Sequence, residues 1–268
     1  MPPASSPELT QALRLADHAD AITTQYFHSQ TLQVSTKPDN TPVTQADLEV
    51  EQTLSAIVAE EYGDAYIGEE GARRTNGAKT WMVDPIDGTK NFLRGMPVWA
   101  TLIAVLDEHG PLASVVSAPA LGRRWWAASG KGSWTKDTDG TIRRLHVSKV
   151  DRLEDAFVLH ASLFSWETTP VSTATIMNVL RAAWRHRGVG DFLNYMLVAE
   201  GAADVSLESG PKAWDLAAPQ LILEEAGGRL WTNAPAGAPP ETPRIAIGTN
   251  GPLEAPILAL VQPKTPQA

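Results

Sequence analysis

Apolar positions recur at helical spacing near the amino end, at Leu9, Leu13, Ala16, Ala19 and Tyr26, which a 3.6-residue repeat gathers on one side. Ser6, Pro7 and Glu8 stand just before them: a capping hydroxyl, a proline at the first helical position and a first-turn acid. A second helix is predicted from the capping box Thr44-Gln45-Ala46-Asp47 to about Tyr62, with Gly63 as its stop. A loop with two prolines, Lys37-Pro38-Asp39-Asn40-Thr41-Pro42, leads into it. Short apolar runs at 65–67 and 81–83 read as strands, delivering Gly68-Glu69-Glu70 and Asp84 respectively.

From 98 onward the pattern changes to strands at 98–106, 112–118, 124–128 and 142–147. Turns fall at Glu108-His109-Gly110 and Asp137-Thr138-Asp139-Gly140. Helices return at about 172–183, 191–200 and 216–225, with short strands near 204–207, 229–231 and 244–247 and a surface loop at 233–240. There is no internal repeat and no strict βαβ alternation, so the expected class is α/β (α+β), layered sheets and helices rather than a barrel. The whole of 1–268 reads as one unit of two halves, about 8–160 and 161–262, with flexible tails at 1–6 and 263–268.

Composition narrows the function. The 268 residues carry 22 Lys and Arg against 31 Asp and Glu, a formal charge of −9, which argues against duplex nucleic acid as a partner. With 0 Cys there is no disulfide, thiolate metal site or cysteine nucleophile. No apolar run approaches the roughly 20 residues of a membrane span, and the first residues lack a signal-peptide pattern, so a cytoplasmic protein is expected. The six His show no metal-like spacing and read as structural or solvated. Nine Trp outnumber the other aromatics taken singly; the adjacent pair Trp125-Trp126 should point to opposite faces of its strand, one of them into the core.

The chemistry concentrates in Trp81-Met82-Val83-Asp84-Pro85-Ile86-Asp87-Gly88-Thr89-Lys90-Asn91-Phe92. A strand ends in one acid, Pro85 is expected to force a turn, and a second acid follows three residues on. Two converging carboxylates repel, and a divalent cation relieves that repulsion. The Gly88 and Thr89 N–H groups can cradle a phosphate. Hard oxygen donors beside an anion cradle suit Mg²⁺ and a phosphate ester; alternatively the two acids merely cap a turn. Two residues between the acids, rather than one, disfavour a phosphorylated aspartate intermediate.

Asp84-Pro85-Ile86-Asp87-Gly88-Thr89 resembles the signature of the inositol monophosphatase superfamily of Mg²⁺-dependent phosphatases. Gly68-Glu69-Glu70, Val43-Thr44-Gln45-Ala46-Asp47 and Trp214-Asp215-Leu216-Ala217-Ala218 with Glu225-Ala226-Gly227-Gly228 match its other motifs in order. The resemblance spans about 9–261. It implies a layered αβαβα sandwich, two or three Mg²⁺ per subunit and a homodimer, whose second subunit one of Trp125 and Trp126 would meet. It also implies metal ligation by Glu69, Asp84, Asp87, Asp215 and the carbonyl of Ile86, with phosphate on Gly88 and Thr89. Thr89, held by Asp47, and Glu69 would activate a water for direct in-line attack. Lys37 resembles the loop lysine that faces this site in relatives, and Glu70 is the weaker partner of Glu69; plainer alternatives are that Asp47 fits the capping box, Asp215 the first turn of its helix, Glu70 a solvated position and Lys37 an exposed lysine.

The segments Lys90-Asn91, Arg94-Gly95-Met96-Pro97-Val98-Trp99, Arg187-Gly188-Val189-Gly190-Asp191-Phe192 and 117–126 resemble the family's actinobacterial histidinol-phosphate phosphatase branch. That implies hydrolysis of L-histidinol phosphate in histidine biosynthesis, with inositol 1-phosphate or a range of sugar phosphates as the alternative. Histidinol carries an ammonium and an imidazole, so acids should face it. Asp191 and Glu208 are the candidates, with Asn194 weaker; the alternatives are a helix cap, a loop charge and a solvated mid-helix Asn.

Overall fold

The computed structural model describes residues 5–38, 40–235 and 237–261. The tails expected at 1–6 and 263–268 therefore lie outside the described residues, apart from Ser5 and Ser6. Ser6 caps α1 (Pro7–Tyr26), its Oγ accepting the Leu9 N–H at 3.1 Å. The buried stripe is Leu9, Ala12, Leu15, Ala16, Ala19 and Thr23, which leaves Leu13 and Tyr26 at its margins. A hairpin of β1 (Val34–Thr36) and β2 (Pro42–Thr44) encloses the loop with two prolines. The capping box forms as expected: the Thr44 hydroxyl accepts the Ala46 and Asp47 N–H groups, and the Asp47 carboxylate accepts that of Thr44. α2 (Gln45–Ile57) continues through one π-helical turn, Val58–Tyr62, to Gly63 at φ +68°.

Two sheets follow. β3 (Ala65–Gly68), β4 (Arg73–Arg74), β5 (Thr80–Asp87), β6 (Ala100–Asp107), β7 (Gly110–Ala118), β8 (Arg123–Ala128), β9 (Ser133–Lys136) and β10 (Ile142–Arg144) form an eight-stranded sheet. Its order is β10-β9-β8-β7-β6-β5-β3-β4, with only β3 and β5 parallel. The second sheet has five strands: β11 (Phe157–His160), β12 (Arg185–Gly188), β13 (Val205–Ser209), β14 (Arg229–Thr232) and β15 (Ile245–Thr249), in the order β12-β11-β13-β15-β14. The remaining helices are α3 (Thr89–Leu93), α4 (Thr173–Ala182), α5 (Asp191–Ala199), α6 (Ala213–Glu225) and α7 (Glu254–Val261).

Three buried clusters set the layers. Leu9, Leu15, Val50 and Leu54 of α1 and α2 pack on Trp81, Ile103, Val105 and Val115 of the large sheet. The opposite face of that sheet, through Leu102, Val116 and Trp125, packs on Tyr195, Met196, Leu216 and Ile222, joined by Leu159 and Ala246 from the small sheet. The outer face of the small sheet packs on Ile176, Val179 and Ile257. The result is the αβαβα sandwich, with α5 and α6 as the middle layer. Alternation along β8 sends Trp125 to the middle core and Trp126 to the α1 side. Both are buried, so the expectation that one of the pair is left for a second subunit does not hold.

Pro85 does not end its strand either. The β5–β6 register shifts between Asp84 and Asp87, a bulge that lets a residue without an N–H remain in the strand. Thr101 Oγ1 takes up the freed Pro85 carbonyl at 2.7 Å. The strand β12 escapes periodicity because Arg185-His186-Arg187-Gly188 is exposed throughout and holds its place as an edge by parallel pairing with β11.

Candidate active site

A cleft of about 560 Å³ opens where the two sheets meet the ends of α3, α5 and α6. One wall is acidic. Beyond the end of β3 the Glu69 N–H donates to Val83 O at 3.1 Å, fixing that turn against β5. The bulge turns Asp84 inward, and its Oδ1 accepts the N–H of Ile86 at 2.9 Å. Asp215 enters from the first turn of α6, its Oδ2 accepting the Lys212 N–H at 2.7 Å, so the capping reading of Asp215 also holds. Glu69, Asp84 and Asp215 bring carboxylate oxygens within 4.8 Å of one another.

These acids disfavour one another's charge. Burial, then Glu69, Asp87 and Asp215, hold the Asp84 carboxyl well above the usual range. Burial and Glu69 push Asp215 up to about 7. A divalent cation converts that repulsion into attraction, and a partly buried set of hard carboxylate oxygens is the donor chemistry Mg²⁺ accepts. The residues present therefore fit such an ion. Asp87 lines the same cleft outside the three-acid cluster, and its Oδ2 accepts the Phe192 N–H of α5 at 2.6 Å.

Lys37 and Glu70 are not solvated. Lys37 Nζ lies 2.8 Å from Glu69 Oε1 and 2.7 Å from Glu70 Oε1, with side-chain exposures of 15% for Lys37 and 4% for Glu70. Burial opposes the ammonium, but the two glutamates outweigh it and raise the lysine above its ordinary range. Burial first, then Glu69, push Glu70 up to about 8.

The floor is Gly88-Thr89. Gly88 sits at φ +86°, and a Cβ there would lie 2.9 Å from Val98 O and 3.4 Å from Asp191 Oδ2, so only glycine lets the chain pass. The hydrogen bond expected between Thr89 and Asp47 is not made. Thr89 Oγ1 donates to Ile86 O at 3.0 Å, and Asp47, fully buried, spends Oδ2 on Thr44 while Oδ1 has no partner. The local capping bonds win because they come with the helix start itself.

The opposite wall comes from the small sheet and α5. Asp191 begins α5 at φ +54°, and its Oδ2 accepts Asn91 Nδ2 at 3.0 Å. Burial raises its carboxyl, with Lys90 and Asn91 opposing. Glu208 Oε2 accepts the Tyr195 hydroxyl at 2.6 Å; burial pushes it up to about 8, with Tyr195 opposing. Asn194 is fully buried rather than solvated: its Oδ1 accepts the Gly190 N–H at 3.1 Å, and it does not line the cleft. His160, set aside on spacing, does line it. It is 8% exposed, with Nδ1 2.9 Å from Ala161 O and its ring 5.6 Å from that of His186. Asn91 and Lys37 carried a sequence signal through their neighbours in the motifs; His160 carried none.

Layered sheets thus enclose a cleft lined by clustered carboxylates and by the Gly88 turn. The sequence matches the inositol monophosphatase family over residues 5–265, and the chain belongs to that family; it is a phosphatase. Among its relatives it is 45% identical over 256 residues to a histidinol-phosphatase of Mycobacterium tuberculosis, covering 95% of this chain and 97% of that protein. It is 43% identical over 226 residues to a histidinol-phosphatase of Streptomyces coelicolor, covering 82% and 85%. The fold also superposes on an IMPase/NADP phosphatase solved with Mg²⁺ and phosphate, with a TM-score of 0.78, 22% identity and coverage of 96% and 97%.

Proposed function

We propose that this phosphatase hydrolyses L-histidinol phosphate to L-histidinol and phosphate, a step of histidine biosynthesis. The observation that carries the choice of substrate is the wall opposite the acidic cluster. Asp191 and Glu208 are held there by Asn91 and Tyr195, with His160 beside them. An ammonium and an imidazole find charged acceptors on such a wall, where a neutral polyol would gain hydrogen bonds without the charge pairing. The two actinobacterial relatives support the same reading.

Glu69, Asp84, Asp87, Asp215 and the carbonyl of Ile86 would hold two or three Mg²⁺. When bound, the ions supply a water acidic enough to attack at neutral pH and stabilise the charge on the leaving oxygen. The chain does the rest. Gly88 and Thr89 N–H groups hold the phosphate oxygens. Thr89, its own proton donated to Ile86, accepts from the attacking water, and Glu69 is placed to take that water's proton. Asp47 fixes the start of α2 beneath them and offers Oδ1 toward a further donor. The remaining parts of the reading are a homodimer in the cytoplasm, with no nucleic acid or membrane partner; among the described residues no helix is long and apolar enough to cross a membrane.

The test is a steady-state comparison in Mg²⁺ of histidinol phosphate with inositol 1-phosphate. The expected result is a higher kcat/KM for histidinol phosphate, and the reverse order removes this substrate.

A further inference from the structure

The turn Gly68-Glu69-Glu70 is gripped from beneath by a side chain with no place in the reaction. Glu51 sits one turn after Asp47 on α2, so both reach the same side of that helix. It is 4% exposed. Its Oε2 accepts the Glu70 N–H at 2.8 Å, and its Oε1 accepts the Ala72 N–H at 2.6 Å. A carboxylate in that setting is costly unless its oxygens are bonded, and both are spent on the backbone flanking Glu69. The carboxylate also occupies the space a side chain at residue 68 would need: a Cβ on Gly68 would lie 2.1 Å from Glu51 Oε2. From the other side Arg73 donates to Gly68 O, and its guanidinium lies 5.4 Å over the Trp214 ring, next to Asp215.

We infer that Glu51 is a positioning residue for the metal site, setting the backbone from which Glu69 projects, and that Gly68 exists to admit it. Glu51 touches neither substrate nor the clustered oxygens; it acts through Glu69. The inference rests on the reading of Glu69, Asp84 and Asp215 as cation ligands. Residues that orient ligands in this way are worth about 10- to 100-fold in metal affinity.

The experiment titrates Mn²⁺ into the full-length protein by calorimetry and by the loss of free-ion paramagnetic signal, for wild type, Glu51→Gln, Gly68→Ala and Asp84→Asn. Circular dichroism melts without metal run in parallel. Glu51→Gln keeps the shape but turns an NH₂ group toward one backbone N–H; Gly68→Ala keeps the Glu51 side chain but drives a Cβ against its carboxylate, forcing it and the turn apart. Both are expected to weaken Mn²⁺ binding at least tenfold in samples that remain folded at the titration temperature, and to lower kcat/KM for histidinol phosphate and p-nitrophenyl phosphate by the same factor. A lowered melting temperature with wild-type Mn²⁺ affinity in both variants overturns the inference and leaves a structural role only. Asp84→Asn separates the two levels. If it loses Mn²⁺ while the other two bind normally, the metal reading stands and the Glu51 inference falls. If it binds normally, the metal reading falls and takes the inference with it.

Discussion

The two walls of the cleft are built by different rules. On the acidic wall, Asp84 and Asp215 are fixed by backbone bonds within three residues, to Ile86 and Lys212, and only the Glu69 turn leans on other elements, through Val83 and Glu51. On the facing wall, Asp191 is held by Asn91, one hundred residues away in sequence, and Glu208 by Tyr195 of a different element. On the proposed reading, the chemistry common to all phosphate esters rests mainly on local motifs. On the same reading, discrimination among alcohols rests on contacts between separate elements, and would be free to drift without touching the reaction.

That contrast predicts how substitutions sort. Asp84→Asn should strike every ester alike, lowering kcat/KM for histidinol phosphate and p-nitrophenyl phosphate by on the order of a thousandfold, since several kcal/mol of charge stabilisation depend on the ion. Chelation with EDTA should do the same reversibly, with Mg²⁺ restoring activity and raising the melting temperature over the stripped protein; a melting temperature indifferent to Mg²⁺ would break the acidic wall's side of the comparison. Asp191→Asn should cost histidinol phosphate about 10- to 100-fold in kcat/KM, as expected for an unpaired buried donor, while p-nitrophenyl phosphate changes by a few-fold at most. Equal losses would place Asp191 with the reaction. Tyr195→Phe removes the hydroxyl that donates to Glu208, worth roughly 1–2 kcal/mol, and should raise KM for histidinol phosphate about tenfold with kcat nearly unchanged. Ser6→Ala, on neither wall, should cost about 1 kcal/mol of stability in a denaturant titration and leave both substrates alone.

The same division decided what could be read from the chain. Asp84-Pro85-Ile86-Asp87-Gly88-Thr89 was legible because the residues needed are contiguous, and the helices capped by Ser6 and Thr44 because their signals are local. The bulge at Pro85 was not, since whether proline ends a strand depends on what β6 offers to its carbonyl. The place of His160 is settled by β12 and β13 pairing on either side of β11, which no spacing encodes. For Lys37 the loop motif left a site lysine and a surface lysine both open, and the hairpin of β1 and β2 decides it by carrying the ammonium to two glutamates. Asn194 and Trp126 are buried by layers contributed from elsewhere in the chain.

The middle helical layer, shared by both sheets, has a consequence for synthesis. Acids 47 to 87 leave the ribosome early, but Asp215 arrives only with α6, after β13 has been made. A nascent chain or a truncated fragment carries the motif without the three-carboxylate cluster. The three carboxylates are thus gathered at one point only once α6 has been made and packed between the sheets.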